Sequence, residues 1–176
     1  AQIAAARHYV HFENYIIHDD ATGRRFHAAL AERARAGVKV RILYDWLGCL
    51  GTGRRFWRGL REAGCEVRAF NPFTPFHPFR AVTRDHRKLV VADGRTALVG
   101  GLCIGDDWMG HPEEGVEPWR DTAVLVEGPA AASNWASIRR TRSSHFSLES
   151  CSRSVSTQSG KPNGVRCGTR TMRRLS

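Results

Sequence analysis

The sequence predicts an α/β fold: a mostly parallel, mixed sheet flanked by helices, followed by a disordered basic tail. Three observations carry this. First, the phrase Arg35-Ala36-Gly37-Val38-Lys39-Val40-Arg41 echoes Glu62-Ala63-Gly64-Cys65-Glu66-Val67-Arg68, so one helix–glycine–strand junction is used twice. Strand, helix, strand, helix, strand in that rhythm implies right-handed crossovers and parallel pairing. Second, the strands are short and rich in Val, Ile and Leu, as a sheet covered on both faces requires. Third, the chain changes character after residue 132, dividing a folded domain at 1–132 from a basic, Ser- and Arg-rich segment at 133–176.

Residues 1–8 read as the end of a helix, and 9–18 as an extended stretch. Asp19, Asp20 and Thr22 then supply cap oxygens, and Phe26, Ala29, Leu30, Arg33 and Ala34 form one helical stripe. Gly37 stands where a helix end wants a left-handed residue, and 38–44 alternate as a strand. A glycine-rich turn over 48–53 leads to another helix, which Gly64 ends before a strand at 65–70. Residues 71–80 are too rich in proline for a regular element, and read either as a pocket wall or as a connector packing its phenylalanines on the domain. Residues 87–92 and 96–101 are strands around Asp93-Gly94-Arg95, a hairpin signal. A further strand covers 120–127, and Gly128-Pro129 opens a helix whose pattern then fades.

The net charge of +10 invites a nucleic-acid partner, but its location argues otherwise. Residues 133–176 hold nine Lys and Arg against one acid, which leaves eighteen basic and sixteen acidic residues in 1–132, a net of +2. That segment reads as a disordered extension or as the product of a frameshift. Five cysteines without CxxC spacing argue against a disulfide framework or a zinc site, and Cys65 and Cys103 read as small core residues. No apolar run is long enough to span a membrane, and no targeting segment is visible. The expected location is cytoplasmic or peripheral at a bacterial inner membrane, with the true N-terminus upstream.

The chemistry concentrates in Asp85-His86-Arg87-Lys88-Leu89-Val90-Val91-Ala92-Asp93 and in Gly100-Gly101-Leu102-Cys103. On an extended strand His86 and Lys88 share one face, while Leu89 and Val91 anchor the other in the core. A neutral imidazole beside a fixed ammonium suits attack on a phosphodiester, the lysine stabilising the non-bridging oxygens. Asp93 lies an odd number of residues from His86, at the hairpin, where aspartate commonly bonds its own backbone. It is therefore read as a structural residue of the motif, and the carboxylate orienting His86 is sought elsewhere.

His86, Lys88, Asp93 and the pair Gly100-Gly101, at this spacing, resemble the signature of the phospholipase D superfamily. The phrases Arg41-Ile42-Leu43-Tyr44-Asp45 and Trp119-Arg120-Asp121-Thr122, with Gly128-Pro129, look most like the N-terminal half of bacterial cardiolipin synthases. The resemblance covers about residues 1–132. It implies a phospholipase D-like half-domain and transfer in two steps through a phosphohistidine, with no metal and no cofactor. It further implies His86 as nucleophile, Lys88 as phosphate ligand and Asp121 as orienting carboxylate. Cys103 occupies a phosphate-binding position where the family usually has asparagine.

The family's site uses two such motifs, the second histidine protonating the leaving alcohol, and no other histidine of this chain has lysine two residues on. A second half is therefore an expected partner, either a missing C-terminal half or an identical chain. The leading expectation is phosphatidyl or phosphodiester transfer on a phospholipid at a membrane surface, by an incomplete, truncated enzyme. A homodimeric phosphodiesterase or nuclease ranks below it, since the near-neutral domain does not predict a basic groove. A third class is an inactive fragment binding anionic lipid or nucleic acid through its basic tail.

Overall fold

The computed structural model describes residues 1–75 and 83–132, together with the backbone of 168–169. Seven strands form one sheet: β1 (Tyr9–Asn14), β2 (Lys39–Asp45), β3 (Glu66–Phe70), β4 (Leu89–Ala92), β5 (Thr96–Val99), β6 (Val124–Glu127) and the two-residue β7 (Gly168–Thr169). Their order across the sheet is β3-β2-β1-β4-β5-β6-β7. Among the described residues, the helices α1 (Gln2–Ala5), α2 (Ala21–Arg35) and α3 (Arg54–Glu62) accompany them.

The sheet is mixed, and its two halves differ. β1–β2 and β2–β3 are parallel, because α2 and α3 carry the chain back between them. β1–β4, β4–β5, β5–β6 and β6–β7 are antiparallel. The expectation of a mostly parallel sheet thus holds only for the β3-β2-β1 half. The β4–β5 turn is too short for a crossover. There Asp93 and Gly94 have φ of 54° and 62°, and Arg95 N–H donates to the Ala92 carbonyl at 3.0 Å, the pattern of a type I′ turn.

Capping follows local chemistry. Asp20 precedes α2 and accepts the Gly23 N–H at 2.8 Å, while Gly37 and Gly64 end α2 and α3 at φ of 83° and 97°. A second cap comes from far along the chain: the Asp106 carboxylate accepts the N–H groups of Ala21 and Thr22 at 3.0 and 2.9 Å. Three of the four orphan donors of α2 are therefore satisfied by aspartates.

The larger core lies between one sheet face and α2 and α3, with Val10, Phe12, Val40, Ile42 and Ala92 meeting Leu30, Ala31, Phe56, Trp57 and Leu60. The opposite face carries a second cluster of Leu89, Val91, Ala97 and Ala131, with Tyr9, Leu43 and Val126 packed on it. Residues 76–82, which include part of the proline-rich stretch, lie outside the described residues, as do 133–167 and 170–176 of the basic segment. The described part of the proline-rich stretch leaves Phe73 exposed, stacked on Trp46. Among the described residues, no helix is long and apolar enough to cross a membrane.

Candidate active site

Tyr15 leaves the C-terminal end of β1, and residues 83–88 lead into the N-terminal end of β4. Because β1 and β4 are antiparallel neighbours, those two ends meet. The His86 ring stacks on Tyr15 with centroids 3.8 Å apart and planes 19° from parallel. Lys88 Nζ donates to the His86 carbonyl at 2.7 Å and lies 5.4 Å from the Tyr15 ring centroid, within cation–π range. Both residues precede β4 rather than sitting within it, so the strand begins later than the sequence predicts. His86 is exposed, and Lys88 is partly buried. An ammonium has three donors, and the Lys88 group uses one of them on the chain.

Beneath this pair lies a charged network that the sequence reading did not single out. Asp45, fully buried at the end of β2, accepts the N–H groups of Leu47, Gly48 and Asp85 at 3.0, 2.9 and 2.9 Å. Arg84 Nη1 lies 3.6 Å from the same carboxylate. The Arg87 guanidinium grips Asp85 through Nε and Nη2 at 2.9 and 3.0 Å, and its Nη2 lies 2.9 Å from Glu13 Oε1. Alternating side chains thus divide the segment: Asp85 and Arg87 bind the buried acids, while His86 and Lys88 reach Tyr15.

Glu13 is only 2% exposed, on the sheet face where its strand neighbours are Leu43 and Leu89. Burial, followed by a hydrogen bond with Asp85, pushes its carboxyl well above the usual carboxylate range. For Asp85 burial acts in the same direction, but the hydrogen bonds from Glu13 and Arg87 outweigh it and hold its carboxyl low. The Arg87 guanidinium lies against both carboxyls, at 2.9 Å from Glu13 Oε1 and 2.9 Å from Asp85 Oδ1. His11, on the same face, is pushed down to about 4 by burial and then by the Arg41 charge.

The other sequence-predicted residues form a separate group. Asp121 Oδ2 accepts the N–H groups of Gly101 and Leu102 at 2.6 and 3.1 Å. Its hydrogen bonds go to the glycine loop and not to the His86 ring, because Asp121 is drawn to two adjacent backbone donors. Gly101 permits that approach, since a Cβ there would lie 2.6 Å from Asp121 Oδ1. Gly100 N–H donates to the Lys88 carbonyl at 3.1 Å, which ties the loop to the site. Cys103 is a half-buried free thiol on the same loop.

Asp93 departs from the expectation in a specific way. Its carboxylate does not bond its own turn but accepts Arg7, His8 and Tyr9 N–H at 2.8, 2.8 and 2.9 Å, fastening the hairpin to the start of β1. A shallow cleft lined by Gln2, Ala6, Asp93 and Arg95 lies there, at the end of β4 away from His86. Among the described residues, no cluster of His, Cys, Asp and Glu is gathered to hold a metal ion.

The arrangement can present an imidazole to solvent with a cation beside it and a rigid, buried base. Residues 1–135 match the family described as cardiolipin synthase, PLD-like domain. The chain is 43% identical over 131 residues to cardiolipin synthase A of Pseudomonas fluorescens, covering 74% of this chain and 27% of that protein. It is 40% identical over 133 residues to the major cardiolipin synthase of Bacillus subtilis, again covering 74% and 27%. The chain thus spans about a quarter of the length of these curated relatives. Its fold is similar to that of Nuc from Salmonella typhimurium, a phospholipase D family member, with a TM-score of 0.55 and 19% identity over 80% of this chain and 81% of that one.

Proposed function

The chain belongs to the family of cardiolipin synthase, phospholipase D-like domains, and from that membership we propose that it is one half of a phosphatidyl- or phosphodiester-transfer site whose nucleophile is His86. The observation that carries this reading is the exposed His86 imidazole, stacked on Tyr15 and flanked by the Lys88 ammonium.

In the first step an imidazole nitrogen of His86 bonds to phosphorus and the ester P–O bond breaks. The Lys88 ammonium lowers the barrier by neutralising charge that builds on the non-bridging oxygens. The leaving alkoxide takes a proton from an acid. The conjugate base then takes the proton of the acceptor alcohol or water as its oxygen bonds to phosphorus and the P–N bond breaks, releasing His86. Asp121 acts by holding the glycine loop against Lys88, with Cys103 beside the phosphate. Asp85 and Arg87 position the His86 backbone.

The proton donor for the leaving alcohol has no counterpart in this sequence, where His86 is the only histidine followed two residues later by lysine. It comes from a second half, supplied by a C-terminal partner domain or by another copy of the chain. The site then works at a membrane surface, on a phospholipid.

An activated aryl phosphodiester tests the half-site by itself, because its phenolate leaves without a proton donor. We expect the purified chain to form an alkali-stable covalent phospho-adduct, seen by intact mass and localised to His86, that is absent from His86→Ala. Equal hydrolysis by both proteins, with no adduct in either, would refute the catalytic reading. Adduct formation that rises with the square of protein concentration would favour the homodimer.

A further inference from the structure

The loop between β2 and α3 presents apolar side chains outward although its backbone is firmly held. Leu47 is 42% exposed and Leu50 58%, and Phe73, stacked on Trp46 at 6.2 Å, is 53% exposed. Looseness does not explain this. Asp45 takes the N–H groups of Leu47 and Gly48, and the Cys49 thiol accepts from Ile17 N–H at 3.3 Å. The buried Thr52 hydroxyl donates to the Ile17 carbonyl. The side chains of Asp45, Cys49 and Thr52 are buried, which leaves Leu47 and Leu50 on the outer side of the loop.

The helix that follows carries charge of the wrong sign for its own stability. Arg54, Arg55 and Arg58 are exposed, its first turn holds no acid, and Gly53 provides no side-chain cap. Cations at a helix N-terminus oppose the macrodipole. None of the three arginines forms an ion pair with a described residue, so no described carboxylate offsets that cost. An anionic surface outside the domain would.

We propose that residues 46–55, with Phe73, form an interfacial wedge that docks the domain on an anionic lipid bilayer. Leu47, Leu50 and Phe73 enter the boundary between headgroups and acyl chains, and Arg54, Arg55 and Arg58 meet lipid phosphates. Exposed apolar residues flanked by arginines are the composition such a surface binds. The wedge also sits beside the nucleophile. A Cβ on Gly48 would collide with the Tyr15 carbonyl, and the Tyr15 ring carries His86. One side chain separates the docking loop from the imidazole, so a phosphodiester at headgroup depth reaches His86 without leaving the bilayer. This placement rests on reading the site as one that acts on lipid phosphodiesters, although docking itself is measured without turnover.

The test is hydrogen exchange of the full chain with vesicles of phosphatidylcholine, alone or mixed with phosphatidylglycerol. Exchange across 46–55 slows with the anionic vesicles only. Leu47→Asp/Leu50→Asp weakens vesicle affinity about tenfold or more, since two charges must then enter the boundary. Arg54→Glu/Arg55→Glu raises the melting temperature, by suiting the helix dipole, while it weakens binding to anionic vesicles. A merely structural role cannot produce those opposite signs. If the parent chain docks through this loop but forms no phospho-adduct, the docking is upheld and the catalytic reading is refuted. Protection confined to 133–176 and unchanged in both double variants would overturn the proposal. So would protection of 46–55 that grows with protein concentration in the absence of lipid, which would identify a second copy as the occupant.

Discussion

The Asp45 carboxylate accepts the backbone N–H of Asp85 at 2.9 Å, joining the end of β2 to the segment that carries His86, forty residues away. The same carboxylate takes Leu47 and Gly48 N–H, so one buried side chain positions both the His86 segment and the exposed loop.

Asp45→Ala leaves three backbone donors without an acceptor at a buried position. At about 1 kcal/mol or more for each unsatisfied group, a loss of roughly 3 kcal/mol is expected. Urea denaturation measures it. A loss below about 1 kcal/mol would mean that water replaces the carboxylate and that Asp45 does not organise the site.

Glu13 sets a pH dependence of definite sign. Its folded carboxyl titrates above the unfolded value of 4.5, so its contribution is fully present below that value and is lost as pH rises through the folded one. Stability measured at about pH 6 and about pH 9 should fall for the parent and change less for Glu13→Gln. Identical slopes in the two proteins would place the proton elsewhere.

His11 acts in the opposite direction. Its ring is depressed from 6.5 to about 4, so the stability it contributes is present above 6.5 and lost as pH falls through about 4. His11→Phe should flatten the acid limb of the stability curve over that window, as read by thermal melts.

Gly101 and Asp121 should behave as a coupled pair. Gly101→Ala forces a methyl group against Asp121 Oδ1 and should cost about 1–3 kcal/mol. Asp121→Ala strips two N–H groups of their acceptor, at a similar cost. The double variant should lose clearly less than the sum, because the clash disappears with the carboxylate. Additive losses would show that the loop does not depend on their contact.

Asp93→Ala removes an acceptor shared by three N–H groups and should destabilise by about 2 kcal/mol. Burial opposes ionisation of Asp93, but the N–H groups of Tyr9, Arg7 and His8 outweigh it and hold its carboxyl below 3.8. Its contribution is therefore present above 3.8 and lost as pH falls below it. An Asp93→Ala variant whose melts match the parent at neutral pH would contradict this fastening role.

Features written in neighbouring residues were legible in the sequence. Asp20 three residues before Gly23, glycines at 37 and 64, and Asp93-Gly94 between apolar runs each encode a cap or a turn, since their hydrogen bonds close within four residues. The spacing of His86, Lys88, Asp93 and Gly100-Gly101 was equally readable, because adjacent antiparallel strands joined by a tight turn keep sequence order in space. The parallel half was foreseen from its repeated junction. The antiparallel half was underweighted, because strand direction across β1–β4 depends on a connection that spans the proline-rich stretch.

Tertiary structure alone decided which partners the carboxylates take. The alternation of Val10, His11, Phe12 and Glu13 puts the apolar and the polar side chains on opposite faces of an extended segment. In the fold both faces are covered at Glu13, burial pushes its carboxyl up, and Arg87 turns inward to the acids. Asp45 with Asp85, Asp93 with Tyr9, and Asp121 with Gly101 are joined across 40, 84 and 20 residues. Periodicity shows which face a side chain takes. What that face meets is set by the order β2-β1-β4-β5, which brings distant backbone donors to each of these acids.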